Sequence, residues 1–274
     1  MRVKLLIFSI LFTNLTFSQE LSIVSWNLKD FGQSRDDTEI ALIAKELRNV
    51  DIVAIQEVVA KHPGGVQAVA RLADQLNRMG ANWDYAYTDP TGDISPHKKE
   101  RYAFLWKTSK AKIIKRVQLI KELDQAVCRE PAIAEFIIKD RKIAILNYHA
   151  CTHNKSYPER EEIQSITQWL NKSNLDNVIW CGDMNLRIDD LAFKPAFDLG
   201  YSSVLNGQKT SLKMKCNEGD YLSRAEDNIL YKLSTVKYIG GTVQDHIAKG
   251  DCNDVSWKRN SYSDHLPVIV ELKH

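Results

Sequence analysis

The chain has 274 residues, of which 44% are hydrophobic and 26% charged, and its formal net charge is +2 at pH 7. This length and composition suffice for one large domain with a full hydrophobic core. A net charge this small excludes a protein that binds a polyanion mainly through its overall electrostatic field. Any affinity for nucleic acid has to come from a local patch or a bound cation.

The N-terminus has the pattern of a secretory signal peptide. Arg2 and Lys4 precede an apolar run over residues 5–15, and small residues follow up to Ser18. The alternative is a buried first strand or helix. The run is shorter than the ~20 apolar residues that a membrane span needs, and no later segment approaches that length. We therefore expect export and no membrane span.

Cleavage after Ser18 divides the chain into a signal peptide, residues 1–18, and one domain, residues 19–274, without an internal repeat or linker. The 37 basic side chains of the full chain fall to 35 when Arg2 and Lys4 leave, which equals the 35 acidic side chains. The exported domain, extracellular or periplasmic, is thus predicted to carry no formal net charge.

The first half of the domain alternates strands with helices. Strands are predicted at "LSIVSWNL" and "DIVAIQEV", and an amphipathic helix between them at "DDTEIALIAKELRNV". Asp36, Asp37 or Thr38 can cap this helix. A second helix, "GGVQAVARLADQLNRMG", ends at Gly80, since glycine favours the conformation that terminates helices.

Antiparallel strands dominate the middle of the chain. They are predicted at "RYAFLWK", "AKIIKRVQLI", "PAIAEFIIKD" and "RKIAILNYHA", with a hairpin turn at Lys139–Lys142. A helix with Pro158 in its first turn follows at "PEREEIQSITQWLNKS", and then strands at "NVIWCGDMN", "AEDNILYKL" and "HLPVIVELK". This order predicts mixed sheets covered by helices, an α/β sandwich rather than a barrel.

The predicted hairpin also predicts a disulfide. A turn at Lys139–Lys142 places Cys128 almost directly across from Cys151. Opposed Cβ atoms in such a pair lie ~4.5–5.5 Å apart, close enough for a bridge after slight adjustment.

The three other cysteines fall into a pair and a single thiol. Cys181 lies in a strand predicted to be buried and is expected to stay free, like a small apolar residue. Cys216 is then left to pair with Cys252 across a loop-rich region. A structural zinc is not expected, because the sequence contains no CxxC pair and no His/Cys cluster of zinc spacing.

Polar residues stand at the margins of the predicted strands. They are Asn27, Glu57, Glu100, His149, Asp183, Asn185, Asp227, Asp264 and His265. Each has an ordinary interpretation alone: "GDMN" is a common turn sequence, and a lone histidine is usually a satisfied core residue. Together they indicate a site, because Mg²⁺ prefers oxygen ligands and histidines beside carboxylates transfer protons.

Seven segments in order, "WNL", "AIQEV", "KERYAFLW", "REPAIAEF", "NYHA", "GDMN" and "SDHLPV", resemble the endonuclease/exonuclease/phosphatase superfamily. The resemblance spans about residues 22–272 and is nearest to the secreted deoxyribonuclease I branch. It implies a four-layered sandwich of two mixed β-sheets packed face to face with helices outside. It also implies hydrolysis of DNA phosphodiester bonds with little sequence specificity, dependent on Mg²⁺, with Mn²⁺ or Ca²⁺ as alternatives.

The resemblance gives roles to the acids and amides of the site. Asn27 and Glu57 match positions that bind or orient the metal, and Asp264 completes this acidic group. Asp183 and Asn185 match the pair that positions the attacking water and a phosphate oxygen.

The resemblance also assigns the histidines and one arginine. His265 matches a histidine acting at the scissile phosphate, with Asp227 as its carboxylate partner. His149 matches the second catalytic histidine, with Glu100 as its partner, and Arg129 of "REPA" matches a phosphate-contacting arginine. Whether an aspartate of the "GDMN" type or a histidine of the "SDH" type takes the proton of the water differs among family members.

Two departures from the deoxyribonuclease I pattern concern the residues that contact the DNA groove. Val59 stands where vertebrate deoxyribonuclease I has a groove-binding arginine, and the segment before "KERY" reads "DPTGDISPHKK" instead of carrying the groove-contacting arginine and tyrosine. Substitute phosphate contacts are available in Lys61, His62, His97, Lys98 and Lys99. Cleavage chemistry is therefore better supported by the sequence than recognition of a duplex groove.

Other functions fit the same fold. One is a phosphodiesterase or phosphatase acting on lipid headgroups or inositol phosphates, another the nuclease subunit of a toxin, and a third a binding protein with an inactive site. The last is disfavoured because Glu57, His149, Asp183 and His265 are all present. We expect a monomer that acts on DNA, without a stable protein partner.

Overall fold

The structure, a computed structural model, describes residues 20–92, 98–152, 156–247 and 251–273. The predicted signal peptide lies outside these ranges, as does His97. None of the helices within them is long and apolar enough to cross a membrane.

Strands and five α-helices make up the described chain. The strands are β1 (Glu20–Phe31), β2 (Ile52–Val59), β3 (Trp83–Tyr87), β4 (Glu100–Lys107), β5 (Lys112–Ile113), β6 (Gln118–Leu119), β7 (Ala132–Ile138), β8 (Arg141–His149), β9 (Val178–Asp183), β10 (Ser202–Ser203), β11 (Leu212–Asn217), β12 (Asp220–Leu222), β13 (Asp227–Lys232), β14 (Lys237–Val243) and β15 (Val268–Lys273). The helices are α1 (Asp37–Leu47), α2 (Gly64–Arg78), α3 (Glu159–Lys172), α4 (Lys194–Asp198) and α5 (Cys252–Ser261).

These strands form two large mixed sheets and one small hairpin. The first sheet has the order β14-β15-β1-β2-β4-β3, and the second β10-β13-β9-β8-β7-β5 with β6 also paired to β7. One pair in each sheet is parallel, β1 with β2 and β8 with β9, and a helix joins its two strands, α1 in the first case and α3 in the second. The hairpin consists of β11 and β12.

Three hydrophobic clusters show how the layers pack. One lies between the sheets and includes Phe104 and Phe136. A second packs α1 and α2 on the outside of the first sheet around Trp26, and a third packs α3 and α4 on the second sheet around Trp180. Each fully buried side chain of this size contributes ~1.5–3 kcal/mol. The predicted four-layered sandwich with helices outside is confirmed.

The helix boundaries follow local signals. Asp36 caps α1, because its side chain accepts a hydrogen bond from the backbone N–H of Glu39 while the Glu39 side chain accepts one from the backbone N–H of Asp36. Gly80, with φ +101°, follows the end of α2. Pro158 was expected in the first turn of α3 but precedes it as the N-cap, in extended conformation with ψ 137°.

One predicted strand is wrong, and several elements went unpredicted. Instead of one strand, "AKIIKRVQLI" forms the two-residue strands β5 and β6, because the exposed residues 114–116 interrupt its pairing with β7. The sequence signals did not indicate β14 or the β11–β12 hairpin. They also missed α5, which has one buried residue, Val255, and so no apolar stripe.

The predicted disulfides are confirmed. Strand β7 pairs with β8 so that Ile138 faces Arg141, and Cys128 bonds Cys151 with Cα atoms 6.0 Å apart. Cys216 bonds Cys252, and Cys181 is a buried free thiol, as expected.

Candidate active site

The polar residues of the predicted site gather at one end of the sandwich. The parallel strands β8 and β9 end there with His149 and Asp183, and the antiparallel strands β4 and β13 begin there with Glu100 and Asp227. Strand pairing puts Asp183 beside both His149 and Asp227. The fold therefore brings together polar residues that are far apart in the sequence.

A glycine fixes the position of Asp183. Gly182 has φ +140°, and a Cβ atom there would lie 1.7 Å from the backbone oxygen of Tyr148. The absence of a side chain lets β9 approach β8 closely at the site. Asn185 then turns the chain with φ 47°, while its backbone N–H donates to Asp183 Oδ1 at 3.0 Å and its side chain donates to the Ala150 oxygen at 2.9 Å.

A β-bulge directs Glu57 into the site. The registers of β2 with β1 and with β4 both shift next to Glu57, whose φ is +61°. Such a conformation costs a non-glycine residue ~1–3 kcal/mol and is commonly kept where function requires it. The carboxylate accepts from the Asn27 side-chain amide at 2.9 Å and from the Asp30 backbone N–H at 3.0 Å.

Asn27 connects Glu57 with the centre of the site. Its amide nitrogen donates to Glu57 Oε1 and, at 3.2 Å, to Asp183 Oδ2, while its oxygen accepts from the backbone N–H of Lys29. Two buried or half-buried carboxylates are thus held on either side of one amide group.

Two histidine–carboxylate pairs face Asp183 from opposite sides. His149 Nδ1 lies 2.9 Å from Glu100 Oε2, and His265 Nδ1 lies 2.8 Å from Asp227 Oδ2. Each ring then presents Nε2 to the same oxygen, Asp183 Oδ2, at 3.6 Å in both cases. A carboxylate bonded to one ring nitrogen orients the ring and leaves the other nitrogen for substrate.

Charge balance within this group shifts its pKa values. Burial opposes the charged form of His265, but Asp227 and Asp183 raise its pKa well above the ordinary value. Burial and Arg129 likewise disfavour charge on His149, yet Glu100 leaves its pKa raised. For Asp183 burial is outweighed by the two histidines, so its pKa is lowered.

The pKa of Asp227 is shifted upward, opposite to the shift of Asp183. Burial and the neighbouring charge of Asp183 raise its pKa, although His265 and the hydroxyl of Thr210, 2.6 Å from Asp227 Oδ2, stabilise the charged form. Burial and the repulsion between the two aspartates therefore oppose a second full negative charge beside Asp183.

Arg129 lies inside the cluster and is 8% exposed. Its Nη1 atom lies 2.7 Å from Glu100 Oε2 and 2.5 Å from His149 Nδ1, and its Nε–H donates to the sulfur of Cys151 at 3.1 Å. The guanidinium thus pairs with Glu100 at the back of the His149 ring. Contact with a substrate phosphate remains a prediction.

Asp264 occupies the rim of the site rather than its centre. Its Oδ2 atom lies 2.9 Å from the Lys29 ammonium and 3.0 Å from the Arg259 guanidinium. Burial is outweighed by His265 and these cations, so the pKa of Asp264 is lowered. Of the three predicted metal residues, Asn27 and Glu57 are joined by a hydrogen bond, and Asp264 pairs with cations instead.

The residues present fit a divalent cation. Glu57 supplies a carboxylate of the kind that Mg²⁺ prefers, and the Asn27 amide nitrogen that donates to it orients this carboxylate. Separately, ligand atoms of Asp183, Asp227 and His265 all lie within 4.8 Å of one another. Both sets border the region that the two histidines face.

Some supporting residues gave no signal in the sequence. Thr210 bonds Asp227, and the hydroxyl of Tyr102 accepts the backbone N–H of His149 at 3.1 Å. Their roles depend on three-dimensional packing, and an isolated threonine before β11 or tyrosine within β4 follows no recognisable pattern.

Hollows extend from the catalytic cluster in two directions. One, of about 220 Å³, reaches from Glu57 and Arg129 past three lysines, Lys61, Lys98 and Lys99. The other, of about 640 Å³, begins at Asn185 and is lined by four cations, Arg160, Arg187, Lys209 and Arg224. Asp189, Asp190 and Glu226 partly balance the second set. Basic side chains therefore line both hollows.

Comparison with known sequences gives one family match. The profile of the Endonuclease/Exonuclease/phosphatase family matches residues 24–265, from β1 to the histidine of "SDH". No curated protein sequence matches the chain at a significant level.

Solved structures share the fold across nearly the whole chain. The crystal structure of humanized D. rerio TDP2 superposes with a TM-score of 0.64 at 17% identity, covering 93% of this chain and 99% of that one. The mannosyl-6-phosphatase of Bacteroides thetaiotaomicron has a TM-score of 0.64 at 18% identity, covering 92% and 99%. D. rerio TDP2 with a single strand DNA product has 0.63 at 18%, covering 93% and 99%. At these identities the likeness extends to the fold alone.

Proposed function

Because the chain belongs to the endonuclease/exonuclease/phosphatase family, we propose that it is a divalent-metal-dependent endonuclease that hydrolyses phosphodiester bonds of DNA with little sequence specificity. The observation that carries this proposal is the convergence of two histidine–carboxylate pairs on one oxygen of Asp183, each at 3.6 Å. The proposal includes secretion after cleavage near Ser18, a deoxyribonuclease I-like mode of action, and a monomer. The two disulfides fit an oxidising compartment.

Each residue of the cluster has a task in this reaction. Asp183 orients the attacking water, with Asn185 holding the turn behind it. His149 and His265 use their Nε2 atoms for hydrogen bonds and proton transfer at the phosphate. Glu57 would hold the cation, with Asn27 orienting its carboxylate, and a bound Mg²⁺ would offset the charge that develops on the phosphoryl group.

The two hollows support an internal phosphodiester as substrate. An endonuclease needs room for the chain on both sides of the scissile bond, and two hollows lined by cations begin at residues of the site here. Contacts of this type go to phosphates and do not read bases, so they position the strand without sequence preference. D. rerio TDP2, with its single strand DNA product, has the same fold.

A second candidate function is a phosphatase or phosphodiesterase acting on inositol phosphates or lipid headgroups. The observation in its favour is the small hollow, since Lys61, Lys98 and Lys99 in about 220 Å³ offer a pocket for a terminal phosphate. The mannosyl-6-phosphatase with the same fold is a phosphatase by name.

A substrate panel distinguishes the two candidates. Duplex DNA, single-stranded DNA, RNA, an inositol phosphate and phospholipid vesicles are incubated with the protein and Mg²⁺ at one salt concentration. We expect DNA to be cut internally, with fragments of many lengths from the start. Strong preference for the inositol phosphate or the vesicles over all nucleic acids would overturn the endonuclease proposal in favour of the second candidate.

A further inference from the structure

A buried carboxylate outside the catalytic cluster holds the segments that carry two of its residues. We propose that Glu162 of α3, with the Cys128–Cys151 disulfide, is a positioning device that fixes Arg129 and His149 for catalysis. This inference rests on the proposed function only in taking His149 to be catalytic. It adds a residue that no sequence motif of the site contains.

Glu162 is fully buried and bonds three groups at once. Its Oε1 atom accepts the backbone N–H of Cys128 at 2.6 Å, and its Oε2 atom accepts the hydroxyl of Tyr148. The backbone N–H of Cys151 bonds the same carboxylate. One side chain on a helix thereby anchors segments that lie on either side of the β7–β8 hairpin.

Each anchored residue adjoins a residue of the site. Cys128 immediately precedes Arg129, Tyr148 immediately precedes His149, and Cys151 follows His149 by two positions. The three hydrogen bonds of Glu162 hold these neighbouring positions in place. They therefore restrain the side chains of Arg129 and His149.

The disulfide completes the connection. It joins Cys128, next to Arg129 in the chain, to Cys151, two residues after His149, and the Arg129 Nε–H donates to the sulfur of Cys151 at 3.1 Å. The same guanidinium then bonds Glu100, which bonds the His149 ring. A continuous series of contacts therefore runs from α3 to the ring that faces Asp183.

Two substitutions of Glu162 test the proposal. Glu162→Ala removes both acceptor oxygens and with them all three hydrogen bonds, whereas Glu162→Gln keeps one oxygen for the cysteine N–H groups and an amide for the Tyr148 hydroxyl. Ile163→Ala is the matched control, because Ile163 is also fully buried on α3 but packs in the apolar cluster. Turnover and KM are measured on DNA with Mg²⁺, well below the melting temperature of every variant.

We expect Glu162→Ala to lower kcat about 10- to 100-fold, as small displacements of catalytic groups do, with KM changed by less than about twofold. Glu162→Gln should restore most of the turnover, and Ile163→Ala should keep it. Equal kcat values for Glu162→Ala and Ile163→Ala, per folded molecule, would overturn the proposal.

Removal of one disulfide or the other provides a second comparison. The variant C128S/C151S and the variant C216S/C252S each lose one bridge, so the number of crosslinks is matched. Only the first should lose turnover. Equal loss, or none, in the two variants would contradict the role of Cys128–Cys151, and if C128S/C151S does not fold, the Glu162 variants decide.

NMR separates this proposal from the proposed function. The side-chain resonances of Arg129 Nε–H and the His149 ring should move in Glu162→Ala and stay in place in Ile163→Ala. Absence of any DNA cleavage by the unaltered protein would count against the proposed function, and unmoved resonances would count against the positioning role.

Discussion

Asp183 lies between two imidazole rings that differ in their supporting groups. His265 has Asp227 behind it, and Thr210 bonds that aspartate, whereas His149 has Glu100 shared with Arg129. Burial and the Arg129 guanidinium lower the pKa of His149 while Glu100 and Asp183 raise it, and the net rise is smaller than that of the His265 pKa. The two histidine–carboxylate pairs therefore differ in how strongly the imidazole ring holds its proton.

Removing either ring should nearly abolish catalysis. We expect His149→Ala and His265→Ala each to lower turnover by about 10²–10⁴-fold, the usual contribution of a general acid or base. Plasmid cleavage by the purified, folded variants is the measurement. His246→Phe is a suitable control, since His246 stacks on Tyr262 and its ring nitrogens have no hydrogen-bond partner among the described residues. If either histidine variant is as active as this control, that histidine is not a catalytic residue.

Individual site residues were predictable where they interrupt or end an apolar strand. Glu57, His149 and Asp183 each interrupt an apolar run, and an interruption is visible in a sequence. The direction of a side chain is not visible. Asp264 has the same local pattern, but Lys29 and Arg259 attract its carboxylate to the rim.

At the scale of elements, the contact between β8 and β9 sets the distance from His149 to Asp183. Gly182→Ala would place a Cβ atom against the Tyr148 oxygen, so the strands must separate. We expect ~1–3 kcal/mol lower free energy of unfolding in denaturant and a large loss of turnover. Gly200→Ala separates the causes, because Gly200 also has positive φ, +89°, with nothing described within 4 Å of its Cβ position. Equal effects of the two changes would show that conformation, and not close approach, requires glycine at 182.

Helix α3 carries a titratable group that should affect stability. Burial raises the pKa of Glu162 from 4.5 to about 7. Since the folded-state pKa is the higher one, this stability is fully present below pH 4.5 and lost as pH rises to about 7, at a total of about 3 kcal/mol. Relative to the unaltered protein, Glu162→Gln should therefore become more stable as pH rises through this window.

Denaturant unfolding across that pH range measures the effect. The exposed neighbour Glu161 offers the control Glu161→Gln. Parallel stability curves for the Glu162→Gln variant and the unaltered protein would show that Glu162 does not titrate in this window.

Element prediction succeeded where hydrophobic periodicity was strong. Helices α1 and α2 and strand β7 show clear periods, β8 shows a continuous apolar run, and the register of β7 with β8 also located the Cys128–Cys151 bridge. Helix α5 was missed because it relies on the cap of Asp251 and on the Cys216–Cys252 bridge rather than on an apolar face. The extended β14 carries Gly240 and Gly241 at a bulge, which weakens its strand pattern.

At the scale of the molecule, charge distribution matters more than net charge. The formal net charge is +2, so attraction of DNA depends on the cations around the two hollows. We expect affinity to fall steeply with salt, because phosphate contacts release counterions. The variant K209E/R224E should raise KM and lower the salt dependence by about one unit of slope per lost contact. K194E is the control, because Lys194 lies on α4 and lines neither hollow. Identical salt slopes for both variants would remove the larger hollow from the DNA path.

Metal-dependent cleavage of DNA at the Asp183 cluster is tested most directly by nicking of supercoiled plasmid. The unaltered protein, His265→Ala and His246→Phe are each incubated with plasmid in Mg²⁺, and again with EDTA in excess. Relaxed circles should appear in Mg²⁺ with the unaltered protein and with His246→Phe, and in neither case with EDTA. His265→Ala should be nearly inactive in both conditions. Full nicking in EDTA, or by His265→Ala, would contradict the assignment of a metal-dependent reaction to this cluster.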